Sequence, residues 1–384
     1  MSFEFATAHQ IIFGRGELKK VGAIAPQFGQ RALIVTGSGS VPLDGLRRIL
    51  QSVGVTGTIF QVDREPDVPM IIAGFNLAKT KGCEFVIGFG GGSVLDAGKA
   101  IAAMHTNPGE LMDYLEVVGA GKEIPNPAAP MIALPTTAGT GTEVTRNAVI
   151  TVPEHHVKVS MRSLKMIPTV AIVDPELTYS MPPSVTASTG MDALTQVIEG
   201  YVSNRANPMT DMVCREGIIR GARSLLRAYK NGQDQDARED MSLTSLFGGL
   251  ALANGGLGAV HGFAGPIGGM FSAPHGVICA SLLPSVMKYN VKVSATLEVN
   301  SDLGSRYQDI ARWVTGDLNA SIEDGVAWIA ELATNLEIPG LRALGIERTD
   351  FPQIIEKSKV SSSMQKNPLR LDETILEAIL AEAY

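Results

Sequence analysis

The stretch CEFVIGFGGGSVLDAGKAIAA, residues Cys83 to Ala103, places a short apolar run before three glycines and a helical pattern after them. The run from Glu84 to Gly88 predicts a buried strand, and the residues from Ser93 onward predict a helix. A strand, a glycine turn and a helix in this order are the parts from which a parallel sheet is wound. The stretch therefore predicts an α/β fold.

The same alternation extends through about residue 180. Strands are predicted at ALIVTG, TGTIFQV, PMIALPTT and TVAIVDPEL, and helices near Leu43 to Ser52 and near Pro69 to Lys81. From MPPSVTAS onward the β-branched runs vanish and helical periodicity continues to the C-terminus. The Pro182-Pro183 pair is the best boundary. We therefore expect an α/β domain over residues 1–181 and an all-helical domain over residues 182–384, with a ligand in the cleft between them.

Composition removes several classes of function. The 384 residues carry a net charge of −7 with no basic cluster, so nucleic acid is not an expected partner. No run of 18 apolar residues occurs, and Leu246 to Phe271, the most apolar region, is predicted to be a buried helix pair rather than a membrane span. The N-terminus has no basic segment followed by an apolar run, so no signal peptide is expected. Three widely spaced cysteines indicate reduced thiols and a cytoplasmic protein.

Two loops that follow predicted strands suit a nucleotide. At Gly90 to Gly92 bare backbone N–H groups precede a helix that Ser93 is predicted to cap, a favourable place for a pyrophosphate. The turn is not a Walker A loop, and Leu95 stands where the usual dinucleotide motif has its third glycine. The second loop, PTTAGTGTEVTRN, offers the hydroxyls of Thr136, Thr137, Thr140 and Thr142. Each loop alone also fits a plain turn, but the two together favour a nucleotide.

The segment GSGS, Gly37-Ser38-Gly39-Ser40, follows the first strand of the predicted alternation. Sites selective for NAD usually place an acidic residue at such a strand end, where it binds the ribose 2′-hydroxyl. None is present, and the small residues leave room for a 2′-phosphate. The segment favours NADP(H) over NAD(H), although a turn required only by the fold would look the same.

The stretch GMDALTQVIEGYVS, Gly190 to Ser203, reads as a buried helix with Asp192 and Gln196 on one side. Later in the chain, His261 and His275 lie in an otherwise apolar region. Each alone would be read as a satisfied core residue, but a carboxylate and two imidazoles make a workable set of ligands for Zn²⁺ or Fe²⁺. We favour a metal because the cluster without one would leave a buried charge uncompensated.

Five motifs in sequence order resemble the iron-containing (group III) alcohol dehydrogenases. They are GFGGGSVLDAGKAIA, PTTAGTGTEVT, GMDALTQVIEGYVS, the stretch from His261 to His275, and KNPLRL near Lys366. The resemblance covers essentially the whole chain. It implies an N-terminal Rossmann-like dinucleotide-binding α/β domain and an all-α metal-binding domain, which is the dehydroquinate synthase-like architecture. It also implies a divalent metal, reversible alcohol oxidation and a homodimer or larger homo-oligomer.

The resemblance also implies site residues. The metal ligands would be Asp192, His261 and His275, which would act in catalysis through the metal. The cofactor contacts would be Gly91, Gly92, Ser93, Asp96, Thr136, Thr137, Thr140, Asn147 and Lys158, to which the GSGS segment adds Gly37, Ser38, Gly39 and Ser40. The chain departs from the family at Gln196, where a fourth histidine ligand is typical, and at Gly265, where a further histidine is typical. Gln196 would be a weak neutral fourth ligand or would leave that position to water.

The favoured hypothesis is a metal-assisted NAD(P)-dependent alcohol dehydrogenase or aldehyde reductase that acts on a small alcohol or carbonyl compound. A dehydroquinate synthase-like lyase is one alternative, but Phe263, Met270 and Phe271 make the substrate side apolar, and it lacks the cations that a phosphorylated acid requires. A glycerol dehydrogenase-like polyol dehydrogenase and a non-catalytic nucleotide-binding protein are the others.

Overall fold

Eight strands account for the sheets of the described chain. The computed structural model describes residues 2–37, 43–155, 157–271, 273–297 and 301–384. The strands are β1 (Gln10–Phe13), β2 (Arg31–Gly37), β3 (Thr56–Val62), β4 (Phe85–Gly90), β5 (Met131–Pro135), β6 (Asn147–Val152), β7 (Val157–Arg162) and β8 (Val170–Val173). Six of them form a parallel sheet in the spatial order β1-β8-β5-β4-β2-β3, and β6 and β7 form a separate antiparallel pair.

The sheet belongs to a compact unit, the sheet unit, made of Ala6–Thr137 and Gly141–Met181. Its helices are α1 (Val21–Ile24), α2 (Asp44–Ser52), α3 (Val68–Thr80), α4 (Gly92–Thr106) and α5 (Leu111–Tyr114). Strands β4 and β5 are buried along their whole length, as expected for central strands of a parallel sheet covered on both faces. The strands and helices predicted for this part of the chain are all present, whereas β1 and the β6–β7 pair were not predicted.

One local prediction about the glycine turn is wrong. Strand β4 extends to Gly90, and the helix α4 already begins at Gly92 with Gly91 as its N-cap residue. Ser93 therefore lies inside the first turn, and the N-cap residue Gly91 has no side chain with which to cap this helix. Backbone amide groups at the start of a helix are a favourable site for an anion.

The second compact unit, the helical unit, comprises Met1–Phe5, Ala138–Thr140 and Pro182–Tyr384. Its helices are α6 (Pro183–Val202), α7 (Pro208–Lys230), α8 (Gln235–Asn254), α9 (Ala259–Met270), α10 (His275–Leu297), α11 (Ser301–Thr315), α12 (Ile322–Asn335), α13 (Phe351–Lys359) and α14 (Glu373–Glu382). Within its described residues this unit contains no strand. The predicted fold class, an α/β part followed by an all-α part, is confirmed.

Helix α6 is the central helix of the helical unit. It is buried without interruption from Gly190 to Val202. A Cβ atom at Gly190 would lie 2.2 Å from the Leu225 Cδ1 atom of α7, so α6 and α7 pack closely at this glycine. The close packing places Asp192, which is 2% exposed, in the interior of the unit.

No single described helix has the length and apolar composition needed to cross a membrane. Helices α8 and α9 meet that test only when taken together, and they are bent by 94° at the break between them.

A fully buried lysine ties the segment from Thr142 to Asn147 to helix α4. The ammonium group of Lys99 donates hydrogen bonds to the Thr142 carbonyl (3.2 Å), the Thr145 hydroxyl (2.9 Å) and the Asn147 carbonyl, and lies 3.1 Å from the Asp96 carboxylate. Glu143 lies in the same segment and is 2% exposed. Burial raises the pKa of Glu143 to about 7, an effect that the charge of Lys99 only partly opposes.

We expect the protein to lose stability as the pH rises from about 4.5 to about 7. The folded state keeps the Glu143 proton up to about pH 7, while the unfolded state releases it near 4.5, so proton binding favours the folded state in this window. The loss should approach about 3 kcal/mol, and Glu143→Gln should abolish it. Denaturant titrations at several pH values measure the effect, with the exposed Glu123→Gln as control. Equal pH dependence in both variants would contradict the assignment.

Candidate active site

Four side chains from three helices bring potential metal-binding atoms together in the helical unit. Asp192 lies on α6, His261 near the start of α9, and His275 and Cys279 one turn apart on α10. One carboxylate oxygen, two ring nitrogens and one sulfur lie within 4.8 Å of one another. The structure thus brings the three residues predicted as ligands together and adds Cys279, which was not predicted.

The distances between these atoms are short. The Oδ1 atom of Asp192 lies 3.2 Å from His261 Nε2 and 3.9 Å from His275 Nε2. The sulfur of Cys279 lies 3.6 Å from His275 Nε2 and 3.8 Å from His261 Nε2. Both imidazoles therefore present Nε2 to one point, which the carboxylate and the sulfur also face.

The carboxylate of Glu199 fixes the orientation of His261. It accepts hydrogen bonds from the Val260 amide (2.7 Å) and from the amide and Nδ1 of His261 (3.3 and 2.7 Å). Glu199 lies on α6, seven residues after Asp192, and is 3% exposed. Because Nδ1 is held by a carboxylate, the proton of a neutral His261 lies on Nδ1 and Nε2 is free to act as a ligand.

Burial and neighbouring charges shift the pKa values of three side chains in the cluster. Burial opposes the ionisation of Asp192, but the hydrogen bond from His261 and the charges of both histidines outweigh it and lower its pKa. Burial likewise opposes the charging of His261, but the Cys279 sulfur, Asp192 and Glu199 raise its pKa well above the usual range. The pKa of His275 rises to about 9, chiefly because of Cys279. The acidic groups thus favour a positive charge at the centre.

Gln196 follows Asp192 by one turn on α6 and is 2% exposed. Its Nε2 donates a hydrogen bond to the Gly139 carbonyl (3.1 Å), which fixes the orientation of the amide. A Cβ atom at Gly248 of α8 would lie 3.2 Å from its Oε1, so that oxygen lies beside α8. Oε1 is a buried acceptor for which the described part of the chain offers no hydrogen-bond donor. The suggestion that Gln196 ligates a metal stays a prediction.

The two strand-end loops of the sheet unit lie side by side. Gly90 at the end of β4 pairs with Pro135 at the end of β5, and the Thr136 amide donates to the Gly90 carbonyl at 3.0 Å. A Cβ atom at Gly91 would lie 3.2 Å from the Thr137 side chain. The predicted contacts Gly91, Gly92, Thr136 and Thr137 are therefore neighbours at the carboxyl edge of the sheet, where ligands of open α/β sheets bind.

The other predicted cofactor contacts are distributed more widely. Gly37 ends β2, and Ser38, Gly39 and Ser40 lie outside the described residues. Asp96 accepts a hydrogen bond from the Val149 amide (3.0 Å), and Lys158 forms an ion pair with Glu65. Thr140 belongs to the helical unit, whereas Asn147 begins β6. For Asp96 and Lys158 the structure therefore shows partners within the protein, and their contact with a cofactor stays a prediction.

Two family models cover nearly the whole chain. The model described as iron-containing alcohol dehydrogenase matches residues 8–175. The model of the C-terminal domain of the Fe-containing alcohol dehydrogenase family matches residues 186–384. The chain belongs to the iron-containing alcohol dehydrogenase family.

Relatives and solved structures agree with this assignment. Alcohol dehydrogenase 4 of Schizosaccharomyces pombe is 35% identical over 97% of the chain and 87% of its own length. The NAD-dependent methanol dehydrogenase of Bacillus methanolicus is 32% identical over 93% of each chain. The crystal structure of 1,3-propanediol oxidoreductase superposes with a TM-score of 0.93 at 33% identity, over 100% of both chains. The chain is an NAD(P)-dependent alcohol dehydrogenase, an oxidoreductase that acts on CH–OH groups.

Sequence reasoning missed two residues of this alcohol dehydrogenase that lie at the cluster, Cys279 and Glu199. Each had a usable signal. Cys279 follows His275 by four residues, and Glu199 follows Asp192 by seven, spacings that put each pair on one helix face. The wide spacing of the cysteines predicts only reduced thiols, and all three are free thiols in the structure.

We expect Glu199→Gln to weaken divalent-metal binding by about 10- to 100-fold, because a carboxamide cannot accept at both of its terminal atoms and would loosen His261. Competition against a chromogenic chelator measures the affinity, and thermal unfolding of the metal-free protein reports separately on the fold. Glu377→Gln, on the exposed face of α14, is the control. Unchanged affinity in Glu199→Gln would show that the carboxylate only caps the start of α9.

Proposed function

We propose that this alcohol dehydrogenase interconverts a small primary alcohol and its aldehyde with NADP(H), using one divalent metal bound by Asp192, His261 and His275. The convergence of these three side chains on one point carries the proposal. Their helices pack in one unit, so the arrangement does not depend on a flexible loop.

The residues present fit a divalent cation. A carboxylate and two imidazoles are the kind of donors that Zn²⁺ and Fe²⁺ accept, and Glu199 supplies the outer carboxylate that commonly orients a metal-bound histidine. The acceptor Oε1 of Gln196, buried one turn from Asp192, gives the region further capacity for a cation or for water. A metal bound here would polarise the substrate oxygen and favour loss of its proton during hydride transfer.

The chain's own residues would orient and shield the reacting groups. Phe263, two residues after His261, is fully buried, and Met270 and Phe271 are partly buried members of the same helical core. Apolar surroundings of this kind exclude water and strengthen electrostatic interactions. They suit a short uncharged alcohol or aldehyde, in agreement with the methanol and 1,3-propanediol named for two of the similar proteins.

We expect the metal-loaded protein to consume NADPH with short aldehydes, and His261→Ala to lose both metal and activity, by about 100-fold or more in kcat/KM, because a direct ligand is removed. Absorbance of the reduced cofactor measures turnover, and elemental analysis after gentle purification measures metal content. The peripheral variant His9→Ala is the control. Equal metal content in His261→Ala and the wild type would contradict the ligand assignment.

Cofactor preference is expected to lean towards NADP(H). Strand β2 ends at Gly37, and the sequence from Gly37 to Ser40 contains no carboxylate to repel a 2′-phosphate. The ratio of kcat/KM for NADPH and NADH should exceed one, and Gly37→Asp should reverse it in favour of NADH. A wild-type preference for NADH would identify the segment as a turn without a role in selecting the phosphate.

The proposal extends to the oligomeric state of the protein and to its location in the cell. A homodimer or larger homo-oligomer follows from the family resemblance, and a cytoplasmic location is inferred from the three free thiols.

A further inference from the structure

Cys279 occupies a position that the proposed three-residue site does not use. It lies on α10 one turn after His275 and is fully buried. Its sulfur contacts the Nε2 atoms of both histidines, at 3.6 and 3.8 Å. Among the residues that the structure describes, this is the one group of three or more His, Cys, Asp or Glu side chains with converging metal-binding atoms.

Four distances between donor atoms can be compared with the edges of a tetrahedral site, and three of them agree within about 0.2 Å. Zinc lies about 2.0 to 2.1 Å from imidazole nitrogen and about 2.3 Å from sulfur, so tetrahedral angles separate sulfur and nitrogen by about 3.6 Å. The two observed sulfur-to-nitrogen distances are 3.6 and 3.8 Å. The corresponding nitrogen-to-oxygen edge is about 3.3 Å, beside observed distances of 3.2 and 3.9 Å from Asp192.

We propose that the sulfur of Cys279 is the fourth protein ligand, and that it makes the site selective for zinc over harder divalent ions. This assignment rests on the proposed site of Asp192, His261 and His275. Thiolate is a soft donor that favours Zn²⁺ over Mn²⁺ or Mg²⁺, and one carboxylate with one thiolate neutralises a divalent charge. Thiolate ligands occur at catalytic zinc sites of alcohol dehydrogenation that have three protein ligands and one open position. With four protein ligands here, the substrate oxygen would take a fifth position, to which catalytic zinc sites can expand.

Gln196 is the competing candidate for the fourth position, because its Oε1 is a buried acceptor that no donor among the described residues satisfies. Its amide nitrogen donates to the Gly139 carbonyl, and its oxygen lies beside Gly248 of α8. The thiolate is preferred because a neutral amide oxygen is a weaker donor to zinc. The other cysteines offer a comparison, since Cys83 and Cys214 are buried and free but belong to no such group.

Cobalt substitution tests the sulfur directly. We expect the Co²⁺-loaded wild type to show a sulfur-to-cobalt charge-transfer band in the near ultraviolet, and X-ray absorption of the zinc form to show one sulfur at about 2.3 Å. Cys279→Ser should abolish both signals, while Cys83→Ser and Gln196→Leu should retain them. The spectra of the wild type test the sulfur ligand by themselves. The test therefore remains possible even if Cys279→Ser folds poorly.

Competition between metal ions tests the proposed selectivity for zinc. Cys279→Ser should weaken Zn²⁺ binding by about 100-fold or more and Mn²⁺ binding by much less, because the lost donor is soft. Cobalt binding without the band, or equal zinc affinity in Cys279→Ser and the wild type, would overturn the assignment and leave the three-residue site standing. Loss of zinc affinity in Gln196→Leu alone would overturn it in favour of the amide. A wild type that binds no metal would overturn the proposed function and the thiolate ligand together.

Discussion

The buried carboxylate of Asp192 is the constraint on which the helical unit's site depends. Close packing of α6 against α7 at Gly190 leaves this carboxylate 2% exposed, and such a charge is costly without a partner. His261 and His275 supply that partner, and the acidic neighbours raise the pKa of both imidazoles. These raised pKa values favour protonated histidines, whose charge would offset that of Asp192 when no cation is bound. A divalent metal would replace those protons, so metal binding would be coupled to proton release.

The sheet unit also contains a buried charge that needs partners, but this charge is positive. Lys99 is fully buried on α4, and its ammonium group is balanced by Asp96 and by oxygens of the segment from Thr142 to Asn147. These contacts hold the threonine-rich segment against the helix that starts at the glycine turn. Breaking a buried pair by removing one partner is strongly destabilising, so we interpret this lysine as a structural anchor of the segment from Thr142 to Asn147.

More of the fold than of the candidate site could be predicted from the sequence. Strand and helix periodicity located β2 to β5, α2 to α4 and the helical second half, because a buried face repeats every few residues. The cap was misplaced at Ser93, because a two-residue shift in the end of β4, from Gly88 to Gly90, leaves no trace in composition. Asp192, His261 and His275 stood out as rare polar residues in apolar segments. The hydrogen-bond partner of Gln196 could not be predicted, because Gly139 lies 57 residues away and contributes only its backbone carbonyl.

The substitution at Gln196 and the presence of Cys279 have a common geometric explanation. Asp192 and Gln196 are four residues apart on α6, and His275 and Cys279 are four residues apart on α10. Each pair puts two side chains on one face, so the site can draw a second donor from either helix. On α6 the Gln196 amide nitrogen donates to the Gly139 carbonyl, and on α10 the Cys279 sulfur lies 3.6 Å from His275 Nε2, a distance that suits a tetrahedron. A change from imidazole to amide on one helix is therefore compatible with four protein ligands, provided that the other helix contributes both of its side chains.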